Sequence, residues 1–316
     1  MSYSFRRHKA VEKELKHIVS EQIDKAIGEM TRRELNRHQA VHQVRKRCKK
    51  IRGALRLVRP AFESTYQFEN AYFRDAARLL SDSRDAQAMI ETYDLLMNTF
   101  NQQVERRTFA PIRRALSRRL TRITAEGDLD ERLAEFLTRM RDARERVASW
   151  SLTASGFKPI AGGLQQTYER GCKAMLQAYD TLANEALHAW RKRVKYHWYH
   201  ARLLEGIWPP VMAPYHAEVK RLSDLLGDDH NLAVFLQTLQ DVMSDDGNAQ
   251  TVQTMAGLVD QYRTQLQLEA KSLGERVFAD RPKQLAHRWE QYWGAWRSES
   301  ARPADRVAAE AALSQG

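Results

Sequence analysis

Gln39–Arg59 reads QAVHQVRKRCKKIRGALRLVR, and Glu185–Glu205 reads EALHAWRKRVKYHWYHARLLE. In the first stretch Val41, Val44, Cys48, Ile51, Leu55 and Val58 recur at helical spacing. The segment therefore reads as a helix with one apolar stripe, stopped by Pro60. At about 100° per residue, His42, Arg45, Lys46, Lys49, Arg52 and Arg56 fall in an adjoining arc of about 120°. The second stretch repeats the arrangement. His188, Arg191, Lys192, Lys195 and Arg202 lie on one side, and Leu187, Trp190, Val194, Ala201 and Leu204 on the other. Each helix has a side that packs and a side that presents cations.

An offset of 146 residues superimposes the two stretches. It pairs His42 with His188, Arg45 with Arg191, Lys46 with Lys192, Arg47 with Arg193, Lys49 with Lys195, Arg56 with Arg202 and Leu57 with Leu203. Without a gap it continues to Ala71/Ala217, Leu79/Leu225, Leu80/Leu226 and Asp82/Asp228, giving 11 identities over the 44 positions 42–85. One offset that holds across two helices and their connection implies an internal duplication, each copy a helical bundle. The copies are read as residues 1–152 and 153–297, with 298–316 a disordered polar tail.

Helical periodicity covers the rest. Leu15, Ile18, Val19, Ile23, Ala26 and Met30 share a face of an opening helix, and helices are expected near 64–80, 84–100, 102–123 and 129–150. Ser81–Asp85 offers caps for one of them. Thr153–Gly163 clusters Ser, Pro and Gly and marks the main break. Helices are expected to resume near 163–180, 183–205, 214–226, 230–244, 248–272 and 282–296. Only 14 Gly and 8 Pro in 316 residues argue for long helices, and no segment alternates as a strand would. The chain reads as all-α.

Composition excludes several classes. Charged residues interrupt every apolar run well short of the roughly 18 residues needed to span a bilayer, so no membrane insertion is expected. The start has no apolar leader segment. Cys48 and Cys172 read as free thiols in a reducing cytoplasm. The net charge of +11 points to an acidic partner. It is concentrated: no Asp or Glu occurs between Glu34 and Glu63, or between Glu185 and Glu205. Like charges at i,i+4 repel, so an acid-free basic helix needs a compensating role, most simply a bound polyanion. Tyr168, Arg170 and Lys173 on the helix before the second stretch, and Arg74 paired with Lys220, are weaker candidates for the same site.

The pattern H-x-x-R-K-R-x-K followed by Leu-Leu-x-Asp occurs twice. It appears as His42–Lys49 with Leu79–Asp85, and as His188–Lys195 with Leu225–Asn231. It resembles the CHAD family, the conserved histidine α-helical domain, over residues 8–295. The resemblance implies two helical bundles related by a pseudo-twofold, long antiparallel helices, and a central basic surface. It also implies that inorganic polyphosphate is the partner and that the protein associates with cytoplasmic polyphosphate granules. By the same resemblance the binding residues are His42, Arg45, Lys46, Lys49, His188, Arg191, Lys192 and Lys195, with Arg56 and Arg202 extending the stripe. Arg52 faces Trp198 in the repeat and Arg84 faces His230, so the first half is expected to carry more of the contacts. A polyanion beside His42 and His188 should favour their protonated forms, tightening binding as pH falls from about 7.5 to 6.

Other readings remain. Tyr196, Trp198 and Tyr199 interleave with the second basic helix as base-stacking residues would, so nucleic acid is an alternative ligand or competitor. An adaptor or regulator of phosphate metabolism is another. Asp228-Asp229-His230 and His197-x-x-His200 hint at a metal site, but each reads better as a helix cap or as ordinary helical histidines. Glu12-Lys-Glu-Leu-Lys16 matches the ExExK string of a CYTH triphosphatase, but inside a helical pattern with no strands after it. The chain is therefore read as a binding protein, with no catalytic residue, metal or cofactor assigned.

Overall fold

The computed structural model describes residues 3–31, 37–126, 129–243 and 249–299. The first half contains α1 (Val11–Thr31), α2 (Arg37–Leu57), α3 (Glu63–Arg78), α4 (Ser81–Thr99), α5 (Ala110–Glu126) and α6 (Leu129–Arg146). The second contains α7 (Lys158–Thr181), α8 (Asn184–Leu203), α9 (Pro209–Val242), α10 (Ala249–Val277) and α11 (Pro282–Ser298). Short 3-10 turns lie at Arg59–Ala61, Val147–Ser149 and Glu205–Ile207, and the described residues contain no strand. The fold is all-α. Of the expected tail, Ser298 closes α11 and Glu299 follows it; 300–316 lies outside the described residues.

Shifted by 146, Arg59–Ala61 falls on Glu205–Ile207 residue for residue, and α2 and α8 end together. The halves differ after that. In the first, the chain breaks at Leu79 and Leu80 between α3 and α4. In the second, the two helices expected near 214–226 and 230–244 are one helix of 34 residues. Gly227 does not interrupt it: a helical glycine costs about 1 kcal/mol, less than the burial of Leu222, Leu226, Leu232 and Phe235 around it contributes. Asp228, Asp229 and His230 therefore lie mid-helix and cap nothing. The capping expected at Ser81–Asp85 also differs, because α4 has no side-chain cap and Ser81 Oγ donates to Arg78 O at 2.6 Å.

The break expected over Thr153–Gly163 is shorter. α7 begins at Lys158, with Pro159 in the first turn, where a missing N–H costs nothing. Gly163 belongs to the helix. A Cβ there would lie 2.0 Å from Leu57 O, so glycine marks a close approach of α7 to the end of α2.

Two apolar cores hold the molecule. One joins α1, α2, α3 and α6 to α7, α8, α11, the first part of α9 and the last part of α10. The other joins α4 and α5 to α10 and the last part of α9. Neither is confined to residues 1–152 or to residues 153–297. The expected stripe of α2 is fully buried, as are Leu187, Trp190, Val194, Ala201 and Leu204 of α8. Burying six such side chains on α2 contributes on the order of 10 kcal/mol, far above the few tenths lost per repelling cation pair.

α2 and α8 meet at residues 146 positions apart. A Cβ on Gly53 would lie 2.8 Å from Cβ of Tyr199, which stands 146 positions later. Beside them His200 Nε2 donates to Gly53 O at 3.1 Å. Tyr199 fills the space that glycine vacates, so the crossing is close but unsymmetrical. Gly53→Ala should lower stability by about 1–3 kcal/mol, and Gly163→Ala by more, because its Cβ would meet backbone. Urea unfolding checks this; an unchanged midpoint in either variant would contradict the packing described.

Candidate anion-binding site

The crossing of α2 and α8 sets two cationic faces around a shared hollow. A cavity of about 580 Å³ is lined by His42, Arg45, Lys46 and Lys49 from α2, and by His188, Arg191, Lys195 and Trp198 from α8. α4 adds Arg84 and Asp85; α9 adds Lys220, Asp224, His230 and Asn231. A second cavity of about 430 Å³ shares Arg45, Lys49, His188, Arg191, Lys195 and Tyr199 with the first. Its remaining charged lining is Arg52, Arg74, Arg78 and Lys192, with no carboxylate.

The cations at the shared wall are poorly compensated. Among the described residues, Lys49, Arg191 and Lys195 form no ion pair, while Arg45 donates to Ala77 O at 2.9 Å and stands 3.7 Å from Asp85. The Lys195 ammonium lies 4.1 Å from the centre of the Trp198 ring. Lys49 is open to water, yet deep in a concave wall of protein. Burial, then Arg45, Arg191 and Lys195, push its pKa down to about 8. Burial pushes Lys195 down to about 8 as well, against the opposing pull of Asp224. Arg191 is lowered by burial too.

The histidines at the site are all held below their usual pKa. Burial, then Arg84, lowers His42. Its Nδ1 accepts a hydrogen bond from Arg84 Nε at 2.9 Å, so the proton sits on Nε2. Burial, with Lys192 and Arg191 nearby, takes His188 down to about 4. Its ring lies 4.1 Å from that of His230, which is driven down to about 3 by burial and by Arg191. The site thus holds a positive field that Asp85 and Asp224 offset only in part.

A family model for the CHAD domain matches residues 17–240. The chain belongs to the CHAD family. It is similar in fold to the crystal structure of the CHAD domain from the plant Ricinus communis, with a TM-score of 0.58 at 15% identity, over 88% of this chain and 95% of that one. No curated protein matches the chain. The CHAD family is associated with polyphosphate binding, and its members are typically binders rather than catalysts. No helix among the described residues is long and apolar enough to cross a membrane.

This CHAD fold brings together His42, Arg45, Lys46, Lys49, Arg52, His188, Arg191, Lys192 and Lys195 on the cavity walls, with Lys220 in the first cavity and Arg74 in the second. It leaves out the other residues expected there. Arg56 lies 3.8 Å over the Tyr196 ring and donates to Asn70, and Arg202 is clamped by Glu205 at 2.7 Å. The Tyr168 hydroxyl is buried, donating to Val277 O and accepting from Asp280 N. Arg170 is exposed away from both cavities, and Lys173 pairs with Glu169. His197 and His200 are core residues, with His197 Nε2 2.6 Å from the Tyr215 hydroxyl. Asp229 is buried and accepts from Arg263 and Gln267. The ExExK string lies within α1.

Sequence reasoning missed Arg78, Asp85, Asp224 and Asn231 as members of this site; it noted Arg84 as a mismatched partner of His230, and His230 also in the Asp228-Asp229-His230 cap. Arg78 had a signal: it stands one turn beyond Arg74 on the same face of α3. The acids had none, because Asp85 and Asp224 lie on neighbouring helices outside the two acid-free stretches.

The pH expectation changes accordingly. Lys49 and Lys195, rather than the histidines, titrate near neutrality. Their lowered pKa values disfavour the folded state fully below about pH 8, and relief comes as pH rises from about 8 toward 10.5. A bound anion reverses the shift. Anion binding at about pH 8 should therefore take up protons, and affinity should fall between about pH 7 and 9. Calorimetry in buffers of different ionisation enthalpy measures this; zero proton uptake at pH 8 would refute it.

Proposed function

We propose that this CHAD protein binds inorganic polyphosphate in the two adjoining cavities. The observation that carries the reading is the meeting of Arg45, Lys49, Arg191 and Lys195, two repeat-related pairs, in one wall with little carboxylate compensation. Polyphosphate presents charge at short, regular intervals and no base edges. Recognition therefore needs cations in register, which helical steps of about 1.5 Å per residue provide. Arginine contributes paired donors and lysine a mobile point charge. His42, Lys46, Arg52, His188 and Lys192 flank the central four, and His42 offers a neutral Nε2–H donor. A protein with this site would gather on cytoplasmic polyphosphate granules, and an adaptor of phosphate metabolism would use the same surface.

Nucleic acid is the weaker ligand. The rings expected to stack on bases are already engaged: Tyr196 lies under Arg56, Tyr199 is buried, and Trp198 stacks on His216. At about 150 mM salt, long-chain polyphosphate should bind more tightly than triphosphate, and than DNA or RNA at equal charge concentration. Lys49→Glu with Lys195→Glu should weaken polyphosphate binding at least about 100-fold, with helical circular dichroism retained. Wild-type affinity in that folded variant would overturn the assignment.

A further inference from the structure

The chain carries a third acid-free basic stretch. No Asp or Glu occurs between Glu105 and Glu126, whereas Arg106, Arg107, Arg113, Arg114, Arg118, Arg119 and Arg122 all do. α5 holds the last five. Arg113 is engaged, donating to Ser117 Oγ at 2.8 Å and pairing with Asp94 at 3.4 Å. Arg114, Arg118 and Arg122 are exposed and form no ion pair among the described residues. Steps of four residues set these three within an arc of about 80°, spaced about 6 Å along the axis. Such a row of like charges repels itself.

The repeat does not account for this row. At the 146-residue offset its counterparts on α10 are Asp260, Thr264 and Leu268. Position connects it to the site. α5 packs on α4, and the start of α5 is pinned beside Asp94 by Arg106 and Arg113. The end of α5, with Arg122, therefore runs toward the end of α4 that places Arg84 and Asp85 in the first cavity. Phe109, the aromatic residue nearest the row in sequence, is buried, so nothing beside it on this stretch could stack on a base.

We infer that Arg114, Arg118 and Arg122 form an outer track on which a phosphate chain leaving the central cavity continues. The inference rests on the polyphosphate reading of that cavity. Guanidinium forks suit the oxygens of successive phosphates, and a second linked contact raises affinity only for chains long enough to reach it. Long chains use the cavity and the track together, whereas triphosphate uses the cavity alone.

The test is the variant Arg114→Gln, Arg118→Gln, Arg122→Gln, titrated with long-chain polyphosphate and with triphosphate. Glutamine keeps helix propensity, and circular dichroism verifies the fold. Long-chain affinity should fall at least about tenfold and the salt slope by about 2 to 3, with triphosphate affinity unchanged. A control, Arg141→Gln, Arg276→Gln, Lys283→Gln, makes the same charge change at exposed positions elsewhere and should bind as wild type. The track is overturned if the α5 variant keeps long-chain affinity, if the control loses as much, or if the α5 variant loses only duplex DNA. The central site fails separately: wild-type long-chain affinity in the Lys49→Glu, Lys195→Glu protein would overturn that site, and the continuation with it.

Discussion

Everything at the site depends on how closely α2 and α8 cross. Both helices are positively charged on the faces that border the cavities, and those faces repel. They stay together because the opposite faces are buried and because Gly53 lets Tyr199 approach. The His200 hydrogen bond to Gly53 O ties a side chain of one helix to the backbone of the other. A larger residue at 53 would part the helices and separate Arg45 and Lys49 from Arg191 and Lys195.

The electrostatic consequence is a folded state that holds stress. Burial and neighbouring cations push Lys49 and Lys195 down to about 8, and the nearby histidines are held below their usual pKa. A protein shaped only for stability would place acids beside these cations. Only Asp85 and Asp224 reach the first cavity, and other acids serve elsewhere: Glu29 holds Arg47, Glu205 holds Arg202, and Asp229 holds Arg263. Sites of this kind commonly trade stability for function. On the proposed reading, a bound polyanion would supply the missing charge and remove the stress.

Much of this was legible beforehand. The apolar stripes of α2 and α8 were read correctly, because a buried helix face leaves a period that composition alone does not blur. The 146-residue offset located Arg84 opposite His230 and Arg74 opposite Lys220, all four now found on cavity walls. Errors arose where a residue's local meaning depends on a neighbour. Gly163 reads as part of a turn cluster and a break is expected between 226 and 230, but Gly163 admits a passing backbone and α9 runs through 226–230 unbroken. Arg56 and Arg202 share the cationic arc, yet Tyr196 with Asn70 and Glu205 draw them away. Tyr196, Trp198 and Tyr199 looked available for stacking and are packed instead.

The sequence by itself determined that the chain is helical, that two acid-free basic helices lie 146 residues apart, and that their cations share a register. Those are properties of spacing along one helix, and spacing is local. Only the tertiary structure decided that the two helices face a common hollow and which of their cations reach it. It also decided that carboxylates from α4 and α9 enter one cavity and not the other. That information depends on contacts between different elements, which for α2 and α8 lie more than a hundred positions apart. Helical periodicity carries no record of them, because it reports which face is buried and not what buries it.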